Sequence, residues 1–299
     1  MSILKVKDLN KKFGKKEVLK SVSFEINEGD ILAFIGPNGA GKTTTIKCIL
    51  GLQRLTKGSI TINGYDIKKN FVKAIEKTGC IVESPDVYMY LTGYENLKLQ
   101  ASLYANIKEE SLTNIIRLVG LENRIYDKVS KYSLGMRQRL GIAISLVNNP
   151  NLLILDEPTN GLDPEGIKEL RELLLKLSKR GMGILISSHN LSELESFCNK
   201  VCIISKGEII EENSISKIKE IDENKYIIKV NDIKKIKKLL NSNDKIIDDN
   251  YIEVIKDEKE IAEFIKILVN NNIDIYEVKK EILTLEEAFM NRAGGKKID

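Results

Sequence analysis

The sequence predicts an α/β fold built on a mostly parallel sheet, and three observations carry that prediction. Four short apolar runs, "ILAFIG" (31–36), "LLILDE" (152–157), "GILISS" (183–188) and "VCIIS" (201–205), read as strands buried on both faces. A glycine-rich segment, "GPNGAGKTT" (36–44), follows the first of them and leads into the helical stretch "TTTIKCIL". An amphipathic helix, "PEGIKELRELLLKLSKRG" (164–181), opens on Pro164 and stops at Gly181, the residues favoured at those two ends.

The remaining elements follow in chain order. "ILKVKDL" (3–9), "VSFEI" (22–26) and "SITING" (59–64) alternate apolar and polar residues, as strands with one wet face do. Residues 86–150 are more polar, and "GYENLKLQASLYA" and "LTNIIRLVGL" carry helical spacing, so a helical region is inserted between the first two buried strands. Composition shifts near residue 213. Beyond it, "KYIIKV" (225–230), "YIEVIK" (251–256) and "IDIYEVK" (273–279) read as strands, with helices at "DIKKIKKLL" (232–240) and "EKEIAEFIKILVNN" (258–271) and a short helix at "LTLEEAFMNR". Two domains are expected: residues 1–212, and a small α+β module over 213–299. The "KKIKK" run reads as a solvated helix face.

Composition narrows the function. Net charge is +4 with no arginine-rich stripe, which speaks against nucleic acid as a partner. Cys48, Cys80, Cys198 and Cys202 form no CxxC pair, so buried thiols in a reducing compartment are expected rather than a disulfide or metal site. The start "MSILKVKDL" has no signal-peptide pattern, and no run of 18 apolar residues exists. Any membrane span must come from another chain.

The chemistry gathers at strand ends. "GPNGAGKTT", that is Gly36, Pro37, Asn38, Gly39, Ala40, Gly41, Lys42, Thr43 and Thr44, fits the phosphate-loop pattern G-x-x-x-x-G-K-[ST] between a strand and a helix. Glycines let successive N–H groups curl round a phosphate, and the helix N-terminus adds partial positive charge. Lys42 is expected to reach the β- and γ-phosphates, and the Thr43 hydroxyl to ligate Mg²⁺. Asp156 and Glu157 end a buried strand; Asp156 suits Mg²⁺, partly through water, and Glu157 suits polarisation of an attacking water. Ser133 and Gly135 open a helix and offer a hydroxyl and an N–H to an anion, although alone they would be an ordinary helix cap. His189 is the one histidine of the chain and has no role on its own residues alone.

"GPNGAGKT", "YSLGMRQRL", "LLILDEP", "NGLDP" and "ISSHN", in that order and spacing, resemble the nucleotide-binding subunit of an ATP-binding-cassette (ABC) transporter over about residues 1–212. The resemblance implies a P-loop NTPase cassette with a mostly parallel sheet core, an N-terminal antiparallel β subdomain and an inserted helical subdomain. It implies ATP and Mg²⁺ as ligands and ATP hydrolysis as the reaction. Two such subunits, a homodimer by expectation, would sandwich two ATPs, each between the phosphate loop of one and Ser133, Gly135 and Met136 of the other. Asp163 is then expected at the subunit interface. Phe13 matches the aromatic that stacks on adenine. His189 matches the switch histidine that contacts the γ-phosphate and orients the hydrolytic water. A transmembrane permease on a separate chain and a peripheral place on the cytoplasmic face of the cell membrane are implied as well.

Two positions depart from the family pattern. The signature is usually "LSGGQ"; here Leu134 replaces the first glycine while Ser133 and Gly135 are kept. Glu83 stands where the family usually has glutamine, and is expected near Mg²⁺ with an added negative charge. Glu83, "YSLGM" and the small C-terminal module together look like the branch that exports bacitracin and lantibiotic peptides. A single cassette without a long coiled coil speaks against the soluble ABC ATPases that remodel ribosomes or nucleic acid; import rather than export stays open.

Overall fold

The computed structural model describes residues 2–189, 194–215, 224–237, 239–241 and 244–280. The chain divides into two units between Ser214 and Ile215.

The first unit holds two sheets. Strands β1 (Ser2–Phe13), β2 (Lys16–Asn27), β4 (Lys57–Ile62) and β5 (Tyr65–Asp66) form an antiparallel sheet in the order β2-β1-β4-β5. Its alternation is the one the sequence carries: Leu4, Val6 and Leu9 are buried while Lys5 and Lys7 face water. β1 runs on to Phe13, because backbone pairing with β2 continues past the apolar residues.

The second sheet contains β3 (Ile31–Ile35), β6 (Thr78–Ile81), β7 (Leu152–Asp156), β8 (Gly183–Ser188), β9 (Lys200–Ser205) and β10 (Glu208–Ser214), ordered β10-β9-β3-β8-β7-β6. All its pairs are parallel except β9 with β10. Every residue of β3, β7 and β8 is buried, as their continuous apolar runs require. One core joins the sheets, with Phe24 against Phe34 at 5.2 Å between ring centroids and Leu4, Ile46, Ile154 and Leu185 fully buried. Each such side chain contributes about 1.5–3 kcal/mol on burial. Cys48, Cys198 and Cys202 are buried thiols, and burial pushes their pKa values up. Cys80 departs from that expectation and is exposed, because β6 is the sheet's edge strand.

Helices α1 (Lys42–Ile49) and α2 (Phe71–Ile75) precede the inserted region, where α3 (Gly93–Ala101), α4 (Glu109–Leu118) and α5 (Leu134–Leu146) lie. Thr92 and Glu95 form a capping box on α3, and the Ser133 hydroxyl accepts from Met136 N–H at the start of α5. α6 (Pro164–Ser178) is capped by Asp163, which accepts from Gly166 N–H, and ends three residues before Gly181. No helix among the described residues is long and apolar enough to cross a membrane.

The second unit runs β11 (Lys225–Val230), α7 (Ile233–Ile236), β12 (Lys245–Ile246), β13 (Tyr251–Ile255), α8 (Glu258–Asn270) and β14 (Ile275–Lys280). Its antiparallel sheet has the order β12-β13-β11-β14, so the chain traces βαββαβ with the first strand between the third and fourth, a ferredoxin-like split βαβ. Ile228, Val230, Ile252 and Val254 pack against Ile261, Phe264 and Leu268. The helix expected over 232–240 is one turn, with Ile236 inward and Lys235 and Lys237 exposed. "LTLEEAFMNR" lies outside the described residues.

Candidate functional site

The phosphate loop joins the C-terminal end of β3 to α1, where a parallel sheet places its ligands. Its glycines are steric necessities. A Cβ on Gly36 would stand 2.2 Å from the Ile204 carbonyl oxygen, and Gly41 sits at φ 115°, open only to glycine. α1 starts with no acidic residue in its first turn, so nothing on the helix competes with an anion for its free N–H groups.

Lys42 folds back over the loop. Its ammonium donates to the Gly36 carbonyl at 2.6 Å and lies 3.1 Å from Glu157 Oε1, with 6% of the side chain exposed. Glu157 Oε2 in turn lies 2.8 Å from His189 Nδ1. The sequence-distant residues 42, 157 and 189 therefore meet in one chain of polar contacts at the loop. They line a cavity of about 440 Å³ together with Pro37, Asn38, Gly39, Gly41, Thr43 and Thr44. Glu157 reaches this position from a left-handed backbone, φ 50°, an uncommon conformation for a non-glycine residue that typically costs about 1–3 kcal/mol.

Asp156, 2% exposed, sits one residue earlier on β7. Ser187 Oγ donates to its carboxylate at 2.6 Å and accepts from Glu157 N–H at 2.9 Å. Ser187 thus fixes both acidic residues, yet no sequence motif points to it; the one signal is a polar residue inside the apolar run "GILISS". Val18 and Asn160 also line the cavity and belong to none of the expected site residues.

Other expected site residues lie elsewhere. Phe13, at the end of β1, is 46% exposed with the Lys11 ammonium 4.5 Å from its ring centroid, so it is not a core residue. Ser133, Gly135 and Met136 open α5, and Asp163 opens α6. The Glu83 carboxylate pairs with Lys47 of α1 at 2.8 Å, outside the phosphate cavity, and that ammonium lowers its pKa. The hard oxygen donors of Thr43 and Asp156 suit a small divalent cation that keeps phosphate and water ligands as well.

The family model described as ABC transporter matches residues 19–160. The bacitracin transport ATP-binding protein BcrA of Bacillus licheniformis is 39% identical over 300 residues, covering 98% of each chain. The lantibiotic transport ATP-binding protein SrtF of Streptococcus pyogenes is 43% identical over 221 residues, 74% of this chain and 95% of its own. Among solved structures, an ATP-binding subunit of an ABC transporter is 34% identical with a TM-score of 0.66, over 73% of this chain and 92% of its own. A dimeric ATP-binding cassette in a post-hydrolysis state with ADP and Pi is 26% identical with a TM-score of 0.63, over 71% and 98%. Phosphate loop, paired acids and strand-end histidine on this sheet, together with relatives matched over nearly their whole length, make the chain a member of the ABC transporter family, in its ATP-binding subunits.

Proposed function

We propose that the chain hydrolyses ATP to power export of an antimicrobial peptide or related antibiotic through separate membrane subunits, from the cytoplasmic face of the cell membrane. The convergence of Lys42, Glu157 and His189 over the phosphate loop is the observation that supports hydrolysis. The bacitracin and lantibiotic transport for which BcrA and SrtF are named supply the class of cargo.

In this reading the loop amides and Lys42 hold the phosphates, and Phe13 stacks on adenine. Glu157 takes a proton from the attacking water while His189 orients that water and the γ-phosphate. Thr43 and Asp156 would hold Mg²⁺, which offsets phosphate charge when bound. Ser133, Gly135 and Met136 act on the ATP of a second subunit, and Asp163 meets that subunit; the dimeric solved relative supports such a pairing. The second unit, which begins at Ile215, serves as an accessory module.

A groove of about 690 Å³ beside β6, walled by Pro85, Leu99, Leu103, Tyr104 and Ile144, suits an apolar segment of the permease and carries Cys80 and Asp86 in its lining. Tagged Glu157→Gln protein, recovered with ATP from detergent-solubilised native membranes, is expected to bring down a polytopic membrane protein in stoichiometric yield. With that partner bound, maleimide labelling of Cys80 should fall. Recovery from cytosol alone with ribosomes or DNA attached would favour a soluble remodelling ATPase instead.

Glu83 is proposed to leave Lys47 and approach Mg²⁺ in the loaded state. The pair to be broken is exposed and screened by solvent, so its release costs little. Glu83→Gln should then shift the Mg²⁺ dependence of ATPase activity, and superimposable curves for variant and wild type would rule the role out.

A further inference from the structure

The signature segment and the loop ahead of α6 are far apart in sequence but touch in the fold, and they do so reciprocally. Leu134 Cδ2 lies 2.8 Å from the point where a Cβ on Gly161 would stand. Leu162 Cδ2 lies 3.8 Å from the corresponding point on Gly135. Each segment thus lays a leucine on the other's glycine. Gly161 is at φ 74°, a conformation that favours glycine, and the absent side chain leaves the space that Leu134 fills.

Leu134 has little other reason to be apolar. It is 39% exposed at the first position of α5, where the cap is already made by Ser133. Farther along the same two helices, Arg139 of α5 reaches Glu169 of α6 at 3.5 Å and donates to the Gly120 carbonyl at 3.1 Å. The helices are therefore tied at a second point, which limits how α5 can turn relative to α6.

We propose that Leu134 and Leu162 interlock residues 133–136 with residues 160–163, so that the two segments facing the second subunit are positioned as one surface. This rests on the two-subunit reading above. Two independent segments would each lose freedom on association, whereas an interlocked pair is ordered beforehand and meets the partner as a unit. Both leucines are positioning residues: neither lines the phosphate cavity, so nucleotide affinity of the single subunit is outside their reach. The departure from the family signature at Leu134 thereby gains a role.

The test uses the full chain in a Glu157→Gln background, where ATP should hold the dimer together. Sedimentation gives the ATP-driven dimerisation constant, titration under non-dimerising dilution gives nucleotide affinity, and thermal unfolding checks the fold. Leu134→Ala and Leu162→Ala should each weaken dimerisation about three- to tenfold, a usual range for residues in contact. Subunit nucleotide affinity should stay unchanged. The double variant should lose less than the sum of the single effects, and Leu134→Met, which keeps a methyl group within reach, should restore dimerisation. Wild-type dimerisation in Leu134→Ala, or full additivity in the double variant, overturns the interlock while leaving the two-subunit reading standing. A Glu157→Gln parent that never dimerises with ATP overturns that reading and the interlock with it.

Discussion

Lys42→Ala is expected to remove nucleotide binding at concentrations that saturate the wild type, and ATPase activity with it. The ammonium is held 6% exposed by the Gly36 carbonyl and Glu157, aimed across the loop rather than into solvent. A charge-assisted hydrogen bond to phosphate is worth about 1.5–3 kcal/mol, and Lys42 is assigned two phosphates. Loss of both lowers affinity by about 10²-fold or more, at about 1.4 kcal/mol per factor of ten. The loop amides remain, so a weak residual affinity for phosphate is expected. Folding should suffer less than binding, because Glu157 keeps His189 as a partner at 2.8 Å. Isothermal titration with ADP and ATP reads the affinities and thermal unfolding the fold; an affinity within threefold of wild type would show that Lys42 is not a phosphate ligand.

Much of this site is legible in the amino-acid sequence alone. Lys42 and Thr43 announce themselves because a phosphate loop is a contiguous pattern, with glycines demanded by backbone geometry at fixed offsets. Asp156 and Glu157 read as a site only beside that loop, since two acids at the end of an apolar strand are by themselves equally well a turn. His189 needs the motifs around it, since a lone histidine carries no spacing. What the sequence hides depends on contacts between distant segments. Ser187 bridges Asp156 and Glu157 through parallel pairing of β7 with β8, and no local pattern in "GILISS" singles it out. Glu83 pairs with Lys47 instead of entering the cavity, a choice made by side-chain reach across 36 residues. In the second unit alternation marks the strands but not the order β12-β13-β11-β14, because it tells which face is wet and says nothing of neighbours. The two-residue β12 is too short to alternate at all. Cys80 reads as buried from its apolar neighbours and is exposed, since an edge strand and a central one look alike in four residues.

Glu157→Gln is expected to slow hydrolysis by about 10²- to 10⁴-fold, the usual weight of a positioned general base. The geometry adds a second effect that turnover cannot explain. The Glu157 carboxylate sits 3.1 Å from the Lys42 ammonium, the group proposed to hold phosphate, and so competes with phosphate for it. Glu157 therefore acts as an internal anion, and an incoming phosphate must displace it from a pair that is only 6% and 18% exposed. Glutamine has the same shape and keeps an amide group within hydrogen-bond reach of His189, yet it carries no charge to hold Lys42. The variant should then bind ADP more tightly than the wild type, by about threefold to tenfold, since swapping a charged partner for a neutral one weakens a hydrogen bond by roughly half. ADP is the telling ligand, because it is not hydrolysed and any gain must come from loss of the Glu157 charge. Added salt should narrow the difference only slightly, since a largely buried pair is poorly screened. Unchanged ADP affinity alongside a large loss of turnover would leave Glu157 as the base but show that its contact with Lys42 offers no resistance to phosphate. Unchanged turnover would remove it from the role of base altogether.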